Sequence, residues 1–336
     1  MKVELPERRA PGVPTMRWRL ALYCIYALIG VVLILLPPFV SPYLKSMLTK
    51  FLIFGIFALS LNLLFGYAGL FSLGHAAFFG VGAYTAAILM VKCGIGNFWL
   101  LMIAGLLAAT ICAAIFGIIA LRVSGIYFLL VTFAIGQLLY SIALKWTPVT
   151  GGSNGLAGIT YPDIGIPGFT MTSTSFHYLV FIFFVICLFV LYRVVRSLFG
   201  RALQGIRGDE RRMQCLGYNT WLYKYIAFVV GGLFAGVAGV LFSFHSRIVA
   251  PEHLGVLTST IVMLMVIIGS DRVFWGPVLG AAVVVLLEHY SSIYIPERWP
   301  MILGGVFVLS VMFLRGGISI HLTRLLKKVQ YRYGST

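Results

Sequence analysis

Acidic residues are scarce in this chain: nine Asp and Glu stand against 25 Lys and Arg, for a formal net charge of +16. Between Arg8 and Pro162 there is no carboxylate at all. Charged residues of both signs make up 10% of the chain, well below the roughly 25% of a soluble domain. So few charges cannot cover a water-facing surface, and the solvent for most of the chain is lipid. Transporters driven by an ion gradient usually hold carboxylates inside the membrane, so the acid-free first half argues against that class. No Gly-x-x-x-x-Gly-Lys-Ser/Thr loop is present, nor His-Glu-x-x-His, which leaves no phosphate loop or zinc protease motif. The six histidines are widely spaced, and no metal site is expected. The five cysteines, Cys24, Cys93, Cys112, Cys187 and Cys215, are scattered and odd in number; they read as small buried hydrophobes rather than a disulfide framework. No arginine-rich patch with interleaved aromatics lies outside the apolar runs, which argues against nucleic acid as a partner.

What the chain does have is apolar length: 60% of its residues are hydrophobic. A spanning helix needs about 20 mostly apolar residues, and ten candidates lie near 20–40, 51–68, 73–91, 98–121, 125–144, 177–195, 224–244, 257–270, 274–292 and 300–315. The expected fold is all-α, a polytopic transmembrane bundle of about ten helices. The run from Leu20 to Val40 is too long for a signal peptide core and reads as a retained helix. Placing both termini in the cytoplasm puts 19 of the 25 basic residues on the cytoplasmic side, against six outside (Lys45, Lys50, Lys92, Lys145, Arg247 and Arg298), as the positive-inside rule demands. The domain reading is a basic cytoplasmic tail at 1–19, a transmembrane domain at 20–315 and a second basic tail at 316–336.

The second to fifth spans and the seventh to tenth form two four-helix blocks of opposite orientation, the arrangement of an inverted repeat. Ala68-Gly-Leu-Phe-Ser72 resembles Gly239-Val-Leu-Phe-Ser243, although two glycine-rich apolar segments can also agree by chance.

Four groups of residues are candidates for function. Gly66, Gly69, Ser72, Gly74, His75, Gly80 and Gly82 crowd one membrane-depth run. Glycines free backbone polar groups, and a broken helix at mid-depth is a recurring way to build a substrate pathway; the same glycines also suit close helix packing. The inside loop at 196–223 carries Gly205, Arg207, Asp209, Glu210, Arg211, Arg212 and Gly217. From the residues alone it reads most simply as a solvated connection, and also as a short amphipathic helix from about Asp209 to Leu216, ended by Gly217. Gly232 with Gly236, and Gly276 with Gly280, are small-xxx-small faces for helix packing. Glu288 lies near the outer end of a span, where an interfacial role is expected.

Several motifs resemble one family. Ser72-Leu-Gly-His-Ala-Ala-Phe-Phe-Gly-Val-Gly-Ala-Tyr84, Ser124-Gly-Ile-Tyr-Phe-Leu-Leu-Val-Thr-Phe-Ala134, Thr150-Gly-Gly-Ser-Asn-Gly155, Gly200-Arg-Ala-Leu-Gln-Gly-Ile-Arg-Gly-Asp-Glu210, Trp275-Gly-Pro-Val-Leu-Gly280 and Phe313-Leu-Arg-Gly-Gly317 occur in order. They are similar to the permease of branched-chain amino-acid ATP-binding-cassette importers of the LivM type, from about residue 50 onward. The resemblance implies an inside loop that docks on an ATP-binding subunit, making Gly205, Arg207, Asp209, Glu210 and Gly217 coupling residues. It makes the 66–82 segment the lining of the pathway. The implied partners are a second related permease, two ATP-binding subunits and an extracytoplasmic substrate-binding protein, with ATP used by the partners and no cofactor on this chain. The implied location is a bacterial cytoplasmic membrane. Gln204-Gly205 and Met213-Gln-Cys215 depart from the family's more common alanines. The same fold also serves urea and short amides. A stand-alone channel, a secondary transporter and a lipid-acting membrane enzyme are the rival readings.

Overall fold

The computed structural model describes residues 41–165 and 171–294, with isolated positions between 301 and 319. The first expected span, most of the tenth, the N-terminal tail, Cys24 and all of the C-terminal tail but positions 317–319 lie outside the described residues. Each of the eight expected spans between them falls on a helix: α1 Pro42–Asn62, α2 His75–Cys93, α3 Phe98–Ala120, α4 Ile126–Lys145, α5 Ser173–Arg196, α8 Thr220–Ser246, α9 Val256–Gly269 and α10 Gly276–Tyr294. Two short helices, α6 Leu198–Gly208 and α7 Glu210–Cys215, occupy the loop between α5 and α8. The fold is an all-α polytopic bundle.

The helices start where the local chemistry allows. Pro42 opens α1 behind Ser41, whose side chain accepts from the Leu44 amide, and Asn97, Thr172 and Asn219 cap α3, α5 and α8 in the same way, satisfying amides that have no partner within the helix. α1 starts nine residues before its expected span. Lys45 and Lys50, expected in a loop, therefore sit on the helix, where Lys50 pairs with Glu288 of α10 at 2.8 Å. A long aliphatic stem lets such a lysine lie along a spanning helix.

Burial separates an inner from an outer set of helices. The apolar windows of α1 with its extension to Ala68, and of α8, are 94% and 78% buried, whereas those of α3, α4 and α5 are 28% buried. The latter three present stripes to lipid. On α3 the exposed residues include Leu100, Ile103, Leu107, Ile111, Ile115 and Ile118, and the buried ones include Leu101, Gly105, Ala109, Ala113 and Gly117. The small stripe faces α8. A Cβ at Gly232 would stand 2.3 Å from the Ala113 methyl, and one at Gly236 2.4 Å from that of Ala109. Close backbone approach of this kind is what holds helices together in a solvent as apolar as their side chains.

α8 packs against α1, α2 and α3, while α1 packs against α8, α9 and α10; α2–α3 and α9–α10 are matched pairs. That exchange is what an inverted repeat of two blocks requires. The segments 68–72 and 239–243 are not equivalent within it, because the first follows the end of a helix and the second lies inside α8. The equivalent points are Gly69 and Arg247, the left-handed residues that end their helices at φ +72° and +59°.

The two ends of the bundle differ. One gathers the 94–97 turn, the 146–165 loop and the 247–250 segment: Asp163 bridges to Asn97, and β1 Leu156–Ala157 pairs antiparallel with β2 Ile248–Val249. The other gathers the ends of α1 and α5, the helices α6 and α7, and the α9–α10 turn, and it carries Arg193, Arg196, Arg201, Arg207, Arg211, Arg212 and Arg272. Of the described cysteines, Cys187 is buried, while Cys93 and Cys215 are exposed rather than buried as expected.

Candidate functional site

α1 does not stop cleanly. Its last turn widens into a π-helix, Leu63–Ala68, closed by Gly69 in the left-handed conformation; π-turns of this kind mark functional positions in many helices. Gly66 has no room for a side chain: a Cβ there would stand 2.2 Å from Asn62 Oδ1 and 2.5 Å from the Asp271 carbonyl. The chain then turns back into the bundle. Phe71 meets Phe65 edge-on at 4.5 Å, the Leu73 amide donates to Thr132 Oγ1 at 3.3 Å, and a Cβ on Gly74 would strike the Thr132 carbonyl at 2.0 Å. α2 therefore begins beside Ser60 and Phe57 of α1, about 10 Å inside the basic end at 1.5 Å per residue. Its Ala76 amide donates to Ser259 Oγ of α9 at 3.0 Å.

The connection from α8 to α9 mirrors this from the other end. Leu254 fills the space over Gly80, and the His253 ring lies edge-on to Phe242 of α8 at 4.8 Å. α9 thus also starts inside the bundle, and its first turn meets the first turn of α2.

Polar groups collect at the break. His75 is fully buried, its ring stacked on Phe57 at 5.6 Å and its Nε2 2.9 Å from Ser60 Oγ. Ser60 Oγ is also 2.7 Å from the Phe57 carbonyl, to which it donates; that arrangement favours Nε2–H as the donor to Oγ and Nδ1 as a bare acceptor. That Nδ1, with Ser72 Oγ and Asn62 Oδ1 at the break and Tyr84 OH farther along α2, is buried without a hydrogen-bond partner. Four such atoms within one stretch are an unusual load, since each buried and unpaired group is destabilising.

The sequence-derived pathway residues divide. Gly66, Gly69, Ser72, Gly74 and His75 come together at the break. Gly80 and Gly82 lie farther along α2 and serve close approach, to Leu254 and to the Gly236 carbonyl of α8. Gly276 and Gly280 likewise admit the backbone of the α9–α10 hairpin, at the Ser270 and Met265 carbonyls.

The loop expected to be solvated holds two helices. Ser197 caps α6, whose Ala202, Leu203 and Ile206 are buried. Asp209 caps α7 by accepting from the Arg212 amide at 3.1 Å, and Gly217 ends the segment at φ +85°. α7 was anticipated; α6 was not. A Cβ on Gly205 would stand 2.8 Å from Met213 Sδ, so this glycine lets α6 and α7 fold against each other. Glu210 pairs with Lys224 of α8 at 2.6 Å. Arg207 points back into the bundle, where Nη2 donates to Asp271 Oδ2 at 2.5 Å and Nη1 to the Gly66 carbonyl. Asp271 was missed at the level of sequence, although it is the one carboxylate between Glu252 and Glu288. Beside this contact opens a cavity of about 1220 Å³, lined by Tyr67, Tyr192, Arg196, Arg201, Gln204 and Arg272 among others.

The sequence is similar to known proteins along most of its length. Residues 43–312 match the family described as branched-chain amino acid transport system / permease component. The high-affinity branched-chain amino acid transport system permease protein LivM of Escherichia coli (strain K12) is 31% identical over 304 residues, covering 84% of this chain and 71% of that protein. The corresponding LivH of Salmonella typhimurium is 23% identical, covering 78% and 89%. A probable LivM of Methanocaldococcus jannaschii is 25% identical, covering 75% and 82%. No solved structure matches the chain. The match runs from the first turn of α1 through the broken helix, the α6–α7 pair and α10, and on that extent the chain belongs to the permease-component family of branched-chain amino acid transport systems.

Proposed function

We propose that this chain is one permease subunit of an ATP-driven importer that moves branched-chain or other small hydrophobic amino acids across a bacterial cytoplasmic membrane. The observation that carries the reading is the family match across nearly the whole described bundle. The basic end, with both termini, faces the cytoplasm, in keeping with the positive-inside rule. There α6 and α7 dock on one of two ATP-binding subunits, and nucleotide binding and hydrolysis in those partners move this chain between inward- and outward-open states. A second, related permease completes the channel, and a soluble binding protein delivers substrate to the end formed by the 146–165 loop and the β1–β2 pair. This chain supplies the route and its partners the ATP hydrolysis. The polar groups at the α1–α2 break, Ser72 and His75 with Gly66, Gly69 and Gly74, belong to the route, in keeping with their burial without full hydrogen bonding.

The test is mass spectrometry of the intact complex, purified through a tag on this chain, followed by uptake assays in liposomes. The expected result is a second permease and two ATP-binding subunits, with ATP-dependent uptake of leucine, isoleucine or valine. Uptake of urea instead would reassign the substrate. Recovery of this chain alone, active without ATP, would overturn the importer reading.

A further inference from the structure

One guanidinium joins two irregular pieces of backbone. Arg207 stands in the last turn of α6. Its Nη1 donates to the carbonyl of Gly66 in the π-turn that ends α1. Its Nη2 donates to Asp271 in the α9–α10 turn at 2.5 Å. Its stem lies against Gly69, where a Cβ would stand 3.0 Å from Arg207 Cγ. The two segments it grips also touch each other, because a Cβ on Gly66 would stand 2.5 Å from the Asp271 carbonyl.

Each part of the contact has a physical reason. The last carbonyls of a helix have no intrahelical donor and carry its negative dipole end, so a cation there is favourable. A planar guanidinium can serve a carbonyl and a carboxylate at once; an ammonium is a point charge and holds no such fork. The side chains of Arg207 and Asp271 are 33% and 19% exposed, so the pair is shielded from solvent but not sealed. The residue before Asp271 is strained: Ser270, fully buried, sits at φ +116° without being glycine. It is held by the Arg272 amide on its Oγ, by Ser319 Oγ donating to the Gly269 carbonyl at 2.5 Å, and by Gly317, on which a Cβ would stand 2.6 Å from the Ser270 backbone. A buried outlier persists only where its surroundings over-determine it, and such outliers cluster at switch regions.

We propose that Arg207 is a latch, and Asp271 the residue that positions it, through which movement of α6 and α7 reaches the π-turn of α1 and the α9–α10 turn together. The two turns belong to the two opposed halves of the bundle, so one contact conveys one displacement to both. The inference rests on the reading of α6–α7 as the docking segment. Asp271 lies outside that segment, and this allows the two ideas to be tested apart.

The experiment uses the assembled importer in liposomes and measures ATP hydrolysed per amino acid taken up, for Arg207→Gln, Asp271→Asn and the double variant. A latch predicts that each single variant raises that ratio by about fivefold and that the double variant is no worse than either, because contacting residues are not additive. Arg207→Lys, which keeps the charge and loses the fork, is expected to resemble Arg207→Gln. A parental ratio for Asp271→Asn alongside an uncoupled Arg207→Gln would overturn the latch and leave the docking segment standing. Additive effects would also overturn it. Parental behaviour of both, together with a silent charge reversal at Glu210, would overturn the docking reading itself. Where a variant fails to assemble, hydrogen exchange on the full chain in detergent decides. The latch requires Asp271→Asn to raise exchange in both 63–68 and 270–276, and a rise confined to 270–276 refutes it.

Discussion

Replacing His75 by Phe sets stability and transport against each other. The aromatic ring and its stack on Phe57 at 5.6 Å are kept. Ser60 keeps its bond to the Phe57 carbonyl at 2.7 Å, so no new orphan donor appears. What is lost is the Nε2–H bond to Ser60 Oγ, at about 1 kcal/mol. What is relieved is the buried bare Nδ1, whose unpaired state costs about 1–3 kcal/mol. The net lies between neutral and about 2 kcal/mol stabilising. For a chain of this size that is a Tm raised by about 0–3 °C, read by thermal unfolding of the purified chain in detergent. Uptake into liposomes containing the assembled importer is expected to fall by about tenfold or more, the equivalent of one polar contact of about 1.4 kcal/mol made during passage. A Tm lowered by about 2 °C or more would show that Nδ1 is not a relieved orphan and would refute the reasoning. A raised Tm with full uptake would take His75 off the route and leave it a packing residue.

Gly239→Ala places a Cβ 1.9 Å from the Phe79 carbonyl and should lower the Tm by about 1–4 °C through overpacking of α8 on α2; Gly208→Ala, where nothing lies within 4 Å, should leave it unchanged or higher, and equal Tm values for the two would contradict the packing account. Asp209→Ser keeps an α7 cap while removing charge, so it should retain assembly with the ATP-binding subunits better than Asp209→Lys, which also loses a cap of about 1 kcal/mol; pull-down through a tag on this chain distinguishes them. His253, outside the spanning helices, is held below its usual pKa of 6.5, chiefly by burial. Its neutral form is the stable one, so its contribution is fully present above pH 6.5 and is lost as pH falls below that value toward the folded-state pKa. His253→Gln should accordingly flatten the fall of Tm on acidification; an unchanged slope would show that His253 does not set it.

The sequence read the spanning helices well because lipid makes a simple demand: each span is an apolar run of sufficient length. Charge in the wrong place blurred the start of α1, where Lys45 and Lys50 looked like loop and proved to be helix. α6 was invisible for the opposite reason. Its three glycines and two arginines read as linker, and only the buried trio Ala202, Leu203 and Ile206 reveals a face. Hydropathy records how many residues are apolar and not how deep they lie, so the inward turn before α9 could not be foreseen, whereas the glycines of 66–82 did point to a break at mid-depth. The glycines of the 66–82 segment were recognised as special, but composition could not separate those at the break from Gly80 and Gly82, which merely admit a neighbour. The Arg207–Asp271 contact joins residues 64 apart, and no local pattern encodes that distance.

The short α9 also bears on how the chain enters its bilayer. At 14 residues it is about 21 Å long, against a hydrocarbon core of about 30 Å. It cannot be threaded across as an independent stop, and its uncapped first turn would be left bare in lipid. Its partner in the hairpin, α10, is 19 residues long, and the glycines at 269, 276 and 280 let the two lie backbone to backbone. The membrane depth that α9 lacks in its own length is therefore supplied by the hairpin it forms with α10.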